Sequence, residues 1–233
     1  MMLGLKKTKQ PASQRLAART KSNSVVIEQY RMVRTNINFS LPTTGAQTIL
    51  FTSAGKGEGK STTASNIAII YAEAGKRVLL VDADMRLPVL HLTFQQSNKI
   101  GLSNLLLAKG RLQDTVKRSK FKNLDLLTCG QIPSNPAELL GSPAFDSLLN
   151  DMKSRYDLII FDSPPILSVT DAKIIANKCD GTVLVVNTGK TEKSGVIKAR
   201  DTLASAKAFV LGVVLNNYNT GKDTYYSNEY HNS

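Results

Sequence analysis

The amino-acid sequence predicts one α/β domain with a mostly parallel β-sheet, helices on both faces of that sheet, and the fold of a P-loop NTPase. Short apolar runs of four to six residues alternate with helix-like segments along most of the chain. These runs are almost wholly apolar, as the strands of a parallel sheet are when helices cover both faces. A glycine-rich segment also lies between a strand and a helix, which is the position of a phosphate-binding loop.

Each predicted element follows from the spacing of its apolar residues. The first helix covers residues 24–41, with Ser24 as its candidate N-cap and Pro42 and Gly45 after its end. Gly75 is expected to end the second helix as a C-cap residue. In chain order, the predicted strands are residues 48–52, 77–81, 124–127, 158–161, 182–186 and 210–215. The other predicted helices are residues 61–74, 102–107, 143–155, 171–178 and 193–206.

Local composition divides the chain into three predicted parts: a basic tail of residues 1–23, the domain at residues 24–219 and a tyrosine-rich tail without aliphatic residues at 220–233. The chain has 30 Lys and Arg against 18 Asp and Glu, a formal net charge of +12, and six of the cations lie in the first tail. That tail is either a solvated arm or the contact with an anionic partner, such as a membrane surface. Nucleic acid is not expected, because no aromatic residues are interleaved with the basic ones.

Composition excludes several classes of protein. Hydrophobic residues make up 42% of the chain, which is enough for a large core and rules out a wholly disordered chain. The chain has two cysteines, Cys129 and Cys179, so neither a disulfide framework nor a cysteine-bound zinc site is expected. The expected location is a reducing compartment. No apolar run approaches the roughly 18 residues of a membrane-spanning helix. The basic N-terminus also lacks the apolar region of a secretory signal.

The strongest motif is a phosphate-binding loop at residues 54–61. Its glycines let backbone N–H groups turn inward around phosphate oxygens, and the N-terminus of the following helix adds positive potential. Lys60 is expected to reach the β- and γ-phosphates, and the Ser61 hydroxyl is expected to ligate Mg²⁺. The residues of this segment predicted to bind nucleotide are Gly55, Lys56, Gly57, Glu58, Gly59, Lys60, Ser61 and Thr62.

Two later predicted strands end in aspartates. Asp82 and Asp84 follow the second strand and, being two residues apart, can face the same site. Asp162 follows the fourth strand. Open α/β sheets bind ligands at the carboxyl ends of their strands, where a carboxylate can hold Mg²⁺. Each aspartate could instead be only a helix cap, but the phosphate-binding loop favours one shared site.

Together these motifs resemble those of the bacterial tyrosine kinases of capsule and exopolysaccharide synthesis, which are relatives of the partitioning and division-site ATPases. Residues 54–61 resemble Walker A, residues 159–165 resemble Walker B, and residues 80–88 resemble the motif called Walker A′ in this family. The residues that match the Walker A′ pattern are Asp82, Asp84, Arg86 and Pro88. Residues 101–106 and 133–140 also look like family segments, so the resemblance extends over residues 24–233.

The phosphate-binding loop departs from its relatives at one place. Lys56 stands where the tyrosine kinases usually have proline. The partitioning and division-site ATPases carry a signature lysine five residues before the Walker lysine, and in this chain that position is Gly55. The departure leaves the phosphate-binding pattern intact.

The resemblance implies ATP-dependent phosphoryl transfer to protein tyrosine, with ATP and Mg²⁺ as cofactors. It implies that Lys60 holds the β- and γ-phosphates. The residues implied to organise Mg²⁺ are Ser61, Asp82 and Asp162. Asp82 is the first choice to accept or orient the proton of the tyrosine hydroxyl, with Asp84 assisting. Asn216, which follows the last predicted strand, is expected to contact adenine as in related folds.

Two further features acquire a role from the resemblance. Glu28, Arg31 and Arg34 lie at three-residue spacing on the first predicted helix, which by spacing alone is an ordinary solvated face. In the family this pattern joins the subunits of a ring. Four of the seven tyrosines lie in the last sixteen residues, without aliphatic neighbours that would make a core. The implied phosphoacceptors among them are Tyr225, Tyr226 and Tyr230.

The implied assembly is a homo-oligomeric ring in which one subunit phosphorylates the tail of the next. The other implied partners are a transmembrane adaptor that activates the kinase, protein-tyrosine substrates and a cognate phosphatase. The expected location is the cytoplasm, at the inner face of the membrane through the adaptor. Two alternatives stay open: an ATPase switch of the partitioning or division-site type, with water as acceptor, and a catalytically idle scaffold. The tyrosine-rich tail argues against the first alternative, and the intact acids argue against the second.

Overall fold

The structure is a computed structural model of the chain and describes Leu16, residues 24–41 and residues 47–218. Within these ranges the strands are β1 Gln47–Ser53, β2 Val78–Asp82, β3 Lys117–Arg118, β4 Leu124–Leu127, β5 Leu158–Asp162, β6 Gly181–Asn187 and β7 Val210–Asn216. The helices are α1 Ser24–Ser40, α2 Lys60–Glu73, α3 Leu90–Phe94, α4 Leu102–Leu106, α5 Leu112–Thr115, α6 Pro136–Gly141, α7 Pro143–Arg155, α8 Asp171–Lys178 and α9 Lys193–Ser205.

These strands form one seven-stranded sheet in the order β3-β4-β2-β5-β1-β6-β7. All neighbouring pairs are parallel except β3 with β4. Because β5 lies between β2 and β1, the segments that follow these three strands leave the sheet side by side. The register places Asp82 of β2 directly beside Asp162 of β5. The topology therefore brings the phosphate-binding loop and two aspartate segments to one edge of the sheet.

Alternating side chains of the strands fill two apolar layers, one on each face of the sheet. Ile49 and Phe51 of β1 belong to the layer that α1, α2 and α3 cover, whereas Leu50 belongs to the layer covered by α4 to α9. The same alternation runs through the other central strands, as the two-residue period of a strand requires. The near-continuous apolar runs of the sequence thus reflect burial on both faces.

The predicted fold class is confirmed, because the sheet is mostly parallel and carries helices on both faces. Every predicted strand and helix is present with ends that differ by two residues or fewer. The sequence prediction missed the short elements α3, α5, α6 and β3. These elements have two to six residues, which is less than the length over which a helical or strand period can be recognised.

The two predicted tails lie outside the described residues, apart from Leu16, so the division into three parts stays a prediction. Leu16 is buried in the apolar layer that includes Ile37 of α1. None of the helices in the described part of the chain combines the length and the apolar character that crossing a membrane requires.

Candidate active site

The loop between β1 and α2 has the backbone conformation of a phosphate cradle. Gly57 and Gly59 adopt positive φ angles of 77° and 96°, which residues with a side chain rarely adopt. A Cβ atom on Gly59 would also lie 2.0 Å from the side-chain nitrogen of Asn216. The loop therefore requires glycine at position 59 both for its dihedral angles and for the close approach of β7.

Three side chains hold this loop in place from within and from neighbouring segments. The carboxylate of Glu58 is buried and accepts a hydrogen bond from the backbone N–H of Gly55 at 2.8 Å. The side-chain amide of Asn216 donates to the backbone oxygen of Glu58 at 2.9 Å. Lys190, in the segment between β6 and α9, donates to the backbone oxygen of Lys56. These three hydrogen bonds stabilise the shape of the loop.

Lys60 lies at the centre of the site and contacts two of the predicted aspartates. Its Nζ is 3.1 Å from an oxygen of Asp84 and 3.5 Å from an oxygen of Asp162, and it also lies 3.2 Å from the Ser61 hydroxyl. All three charged side chains are almost fully buried. Their exposed fractions are 11% for Lys60, 5% for Asp84 and 0% for Asp162. The structure therefore brings the lysine and the aspartates into one buried cluster.

Asp82 belongs to the same cluster but faces the protein interior. One of its carboxylate oxygens accepts hydrogen bonds from the backbone N–H groups of Val89 and Leu90 at 3.0 and 2.9 Å, at the start of α3. Its other oxygen is buried and has no hydrogen-bonding partner among the described residues. One oxygen of Asp82 therefore caps the start of α3, and the other is available to bind a metal ion or a proton.

Burial governs the protonation of the cluster. Burial, reinforced by the charge of Asp162, raises the pKa of Asp82 to about 8. Burial also raises the pKa of Asp162, and the nearby Lys60 partly opposes that shift. Burial alone would lower the pKa of Lys60, but the charges of Asp162, Asp84 and Asp82 more than offset it, so its pKa is raised. Lys60 therefore stays charged at neutral pH, while Asp82 titrates close to neutrality.

A cavity of about 380 Å³ opens beside the loop and is the space available to a substrate. Lys60, Ser61 and Thr62 line it on the side of α2, and Asp84 lines it on the side of β2. The remaining wall is formed by residues Arg86, Leu87, Val89, Thr93, Pro164, Pro165, Ser168 and Val169, together with the loop residues Lys56, Gly57 and Gly59. Asp84 is thus the carboxylate at the cavity wall, with Asp82 behind it.

Arg86 enters the cavity wall in a fixed orientation. Its guanidinium donates two parallel hydrogen bonds of 3.0 Å to the carboxylate of Asp171, which is fully buried at the start of α8. Such a paired geometry fixes the plane of the guanidinium as well as its position. The sequence motif contained Arg86, but nothing in the sequence linked it to Asp171, 85 positions further on, or linked Lys190 to the loop.

The residues present fit a Mg²⁺-bound nucleotide. One buried carboxylate oxygen of Asp82 and one of Asp162 have no hydrogen-bonding partner in the described structure, and oxygen is the ligand that Mg²⁺ prefers. Within residues 24–41 and 47–218, no group of three or more His, Cys, Asp or Glu side chains is arranged to hold a metal ion by itself. Mg²⁺ sites in phosphoryl-transfer proteins commonly combine one or two carboxylates with phosphate oxygens and water.

The predicted interface residues lie on α1, which packs against α2. Glu28 and Arg31 form an exposed ion pair, with 60% and 50% of their side-chain surfaces accessible. Arg34 is turned toward α2 and donates to the backbone oxygen of Ile70 at 3.2 Å. The predicted phosphoacceptors Tyr225, Tyr226 and Tyr230 lie outside the described residues.

Fold and site together define the chain as a P-loop nucleotide-binding protein with a buried lysine–aspartate cluster at the carboxyl edge of its sheet. Residues 46–209 match the family model described as an AAA domain. The chain is 44% identical over 225 residues to the tyrosine-protein kinase YwqD of Bacillus subtilis (strain 168), and the match covers 96% of this chain and 95% of that protein.

Two solved structures are similar to this chain in three dimensions. The crystal structure of the chimerical protein CapA2B2 superposes with a TM-score of 0.82 at 40% identity, over 87% of this chain and 89% of that one. The septum site-determining protein MinD of Pyrococcus horikoshii OT3, complexed with Mg-ADP, superposes with a TM-score of 0.63 at 25% identity, over 74% and 71% of the two chains. This chain belongs to the bacterial tyrosine kinase family and is a tyrosine-protein kinase, which confirms the resemblance found in its motifs and sets aside the ATPase switch.

Proposed function

We propose that this kinase transfers phosphate from ATP to Tyr225, Tyr226 and Tyr230 of a neighbouring copy and thereby regulates capsular or exopolysaccharide biosynthesis. The observation that carries the proposal is the buried cluster of Lys60 with Asp84 and Asp162 at the wall of a cavity of about 380 Å³. Such a cluster would offer one cation and several carboxylates to the β- and γ-phosphates of a nucleotide held by the phosphate-binding loop. The tyrosine-rich sequence of residues 220–233 supplies the acceptors.

The residues of the site have separate tasks in this proposal. Lys60 exchanges its bonds to Asp84 and Asp162 for the phosphate oxygens, while the backbone N–H groups of the loop hold the other oxygens. Ser61, Asp82 and Asp162 are the residues that would hold Mg²⁺. When bound there, Mg²⁺ supplies neutralisation of the phosphate charge, which is the main requirement of phosphoryl transfer.

The proton of the acceptor phenol goes to the Asp82 and Asp84 pair. Asp82 stays the first choice to accept or orient this proton because it lies beside Asp162 in the buried cluster. Asp84 assists from the cavity wall, where it is the first carboxylate that an incoming hydroxyl meets. Arg86, fixed by Asp171, is placed to orient the acceptor segment or the transferred phosphate.

We also propose that α1 joins copies of the chain into a ring. Besides the exposed pair Glu28 and Arg31, the helix exposes Val25, Met32 and Phe39, with 70%, 61% and 84% of their surfaces accessible. These three apolar residues are seven positions apart and therefore form one stripe along the helix. An apolar stripe beside a charged pair is suited to contact with another protein surface, and Arg34 anchors the helix to α2 behind it.

The oligomer proposal has a matched control within the chain. Glu28→Ala with Arg31→Ala and Met32→Ser is expected to reduce the molar mass measured by light scattering to that of a smaller species. Arg111, just before α5, and Asp114 of α5 form another exposed pair, with exposures of 79% and 69%, and their double replacement by Ala is expected to leave the mass unchanged. An unchanged mass for the α1 variant would refute the interface.

Transfer between copies is tested by mixing two variants. One carries Lys60→Met and an intact tail, and the other carries an intact site with Tyr225, Tyr226 and Tyr230 replaced by Phe. After incubation with Mg-ATP and the cytoplasmic segment of an adaptor, phosphotyrosine is expected on the Lys60→Met copy, since only that copy has acceptors. ATP consumption without phosphotyrosine on that copy would contradict the proposal.

In the cell, the same kinase is proposed to act with a transmembrane adaptor, other protein-tyrosine substrates and a phosphatase at the inner face of the membrane.

A further inference from the structure

A second and larger cavity lies at the opposite edge of the sheet from the nucleotide site. Its volume is about 620 Å³. Arg77 precedes β2, Asn123 precedes β4 and Tyr156 precedes β5, so the cavity opens at the amino ends of these strands. The nucleotide site uses the carboxyl ends of β1, β2 and β5. A ligand in the second cavity would therefore leave the nucleotide site accessible.

Part of the cavity lining is apolar and aromatic, beside the polar residues Gln113, Ser119 and Asn123. Leu112 and Leu124 are buried in its floor, and Val116 lies beside them. The rings of Phe121 and Tyr156 stand in its wall, where Tyr156 is held by a hydrogen bond of 3.0 Å from its hydroxyl to Asp125. This lining suits a flat, uncharged group such as an aromatic ring.

The rim of the cavity is strongly basic. Four of the six residues 117–122 are Lys or Arg. Lys117 is turned away and donates to Ile100 and Thr128, whereas Lys120 lies over the Phe121 ring at 5.4 Å. The remaining two cations of the segment, Arg118 and Lys122, line the cavity, and in the described structure neither side chain has a hydrogen-bonding or ionic partner.

Two carboxylates near the cavity, those of Asp157 and Asp151, form ion pairs with arginines, and a third, that of Asp125, lines the cavity. Arg77 is paired with Asp157 at 2.7 Å, and Arg155 is paired with Asp151 at 2.8 Å. Asp125 is the lining carboxylate and accepts the hydrogen bond of Tyr156. Arg118 and Lys122 therefore exceed the lining acids and give the rim an excess of positive charge.

Apolar and aromatic lining residues next to cations that are unpaired among the described residues fit an aromatic ring that carries a phosphate. We propose that this cavity binds the phosphotyrosyl C-terminal tail of a second copy of the chain, an inference that rests on the proposed function of the nucleotide site. The ring would contact Phe121 and Tyr156, and Arg118 and Lys122 would bind the phosphate, which carries a charge of about −1.5 to −2 at neutral pH. The product of the reaction would thus be held away from the site that forms it.

Chain length rules out binding of Tyr225 from the same copy, so in this proposal Tyr225 comes from a second copy. Strand β7 lies five positions from β4 in the sheet, which is about 24 Å at the usual strand spacing, and its end lies at the other edge of the sheet. The straight path from Asn216 to the cavity is therefore about 30 Å and runs through the core. The nine residues from Asn216 to Tyr225 span at most about 30 Å when fully extended, so they are too short for a path around the surface.

The binding test uses the full chain with Tyr225, Tyr226 and Tyr230 replaced by Phe, so that no tail competes. A fluorescent peptide of residues 219–233 with phosphotyrosine at 225 is titrated in the presence of Mg-ADP, and binding is followed by fluorescence anisotropy. We expect it to bind at least tenfold more tightly than the unphosphorylated peptide or one with phosphoserine at that position. Arg118→Glu with Lys122→Glu should weaken binding at least tenfold, and Arg118→Gln alone should weaken it severalfold. Lys193→Glu with Lys198→Glu on α9 makes the same change of charge and should alter binding less than twofold.

Each outcome decides the inference without requiring catalysis. Equal binding of the phosphorylated and unphosphorylated peptides would overturn it, as would equal binding of the phosphoserine peptide, because the cavity would then not recognise an aromatic phosphate. Full binding to both Arg118 variants would place the phosphopeptide elsewhere and also overturn it. Because the peptide is synthesised already phosphorylated, a negative result leaves the proposed kinase reaction untouched, and an inactive kinase could still give a positive one.

Discussion

Replacing Lys60 with Met removes the only cation within hydrogen-bonding distance of two buried carboxylates in the described cluster. The Nζ atom lies 3.1 Å from Asp84 and 3.5 Å from Asp162. At an effective dielectric constant of about 20, each pair attracts by about 5 kcal/mol. Removing the ammonium also removes its desolvation cost of several kcal/mol, so the net loss of stability is expected to be about 3–5 kcal/mol at pH 8.

The loss should depend on pH with a defined sign. Burial raises the pKa of Asp162, and Lys60 opposes that rise. In the Lys60→Met variant the pKa of Asp162 in the folded state is expected to rise further above its unfolded value of about 3.9. Between these two pKa values the folded state binds more protons than the unfolded state, so stability falls as pH rises. The difference in free energy of unfolding between wild type and variant should therefore be larger at pH 8 than at pH 5.

Urea unfolding followed by far-UV circular dichroism, without nucleotide, measures this difference. Lys56→Met is the matched control, because it removes an exposed lysine from the same loop and is expected to change stability by less than about 0.5 kcal/mol. A loss below about 1 kcal/mol at pH 8, or an equal loss at pH 5 and pH 8, would refute the electrostatic account of the cluster.

Three further predictions concern single positions. Gly59→Ala should abolish binding of a fluorescent ATP analogue, because the φ of residue 59 is 96° and the new Cβ would lie 2.0 Å from Asn216. The control Gly75→Ala, with φ 90° and nothing within 4 Å of the new Cβ, should retain binding. Equal affinities of the two variants for the analogue would contradict this prediction. Asp171→Asn should lower kcat/KM for tyrosine phosphorylation about tenfold, or about 1.4 kcal/mol, by releasing Arg86, and an unchanged rate would remove Arg86 from the mechanism. Asp82→Asn should gain stability relative to wild type as pH rises from about 4 to 8. Burial raises the pKa of Asp82 to about 8, so the wild type loses stability over that range. An equal difference in the free energy of unfolding by urea at pH 5 and at pH 8 would contradict this prediction.

The fold and the principal site motifs could be predicted from the sequence because their signals are local. The apolar runs of β1, β2 and β5 follow from burial on both faces of the sheet. The glycine spacing of residues 54–61 follows from the backbone angles that a phosphate cradle needs. The aspartates could be assigned to one site because the carboxyl ends of parallel strands meet at one edge.

Other features depend on residues that are far apart in the chain. The bond between Arg86 and Asp171 and the contact of Lys190 with the loop arise only when separate segments meet beside β1. The second cavity arises where the β3–β4 segment meets α5 and the end of α7, so no single segment indicates it.

Sequence alone determined the order of the elements, the loop that binds phosphate and the set of aspartates that face it, because periodicity and spacing act within a few residues. Tertiary structure decided how those aspartates differ: Asp84 reaches the cavity wall and Lys60, whereas Asp82 is turned inward to the start of α3. The physical reason is that burial and distance between side chains depend on the packing of whole elements. Two carboxylates two residues apart in the sequence can therefore have different environments and different hydrogen-bonding partners.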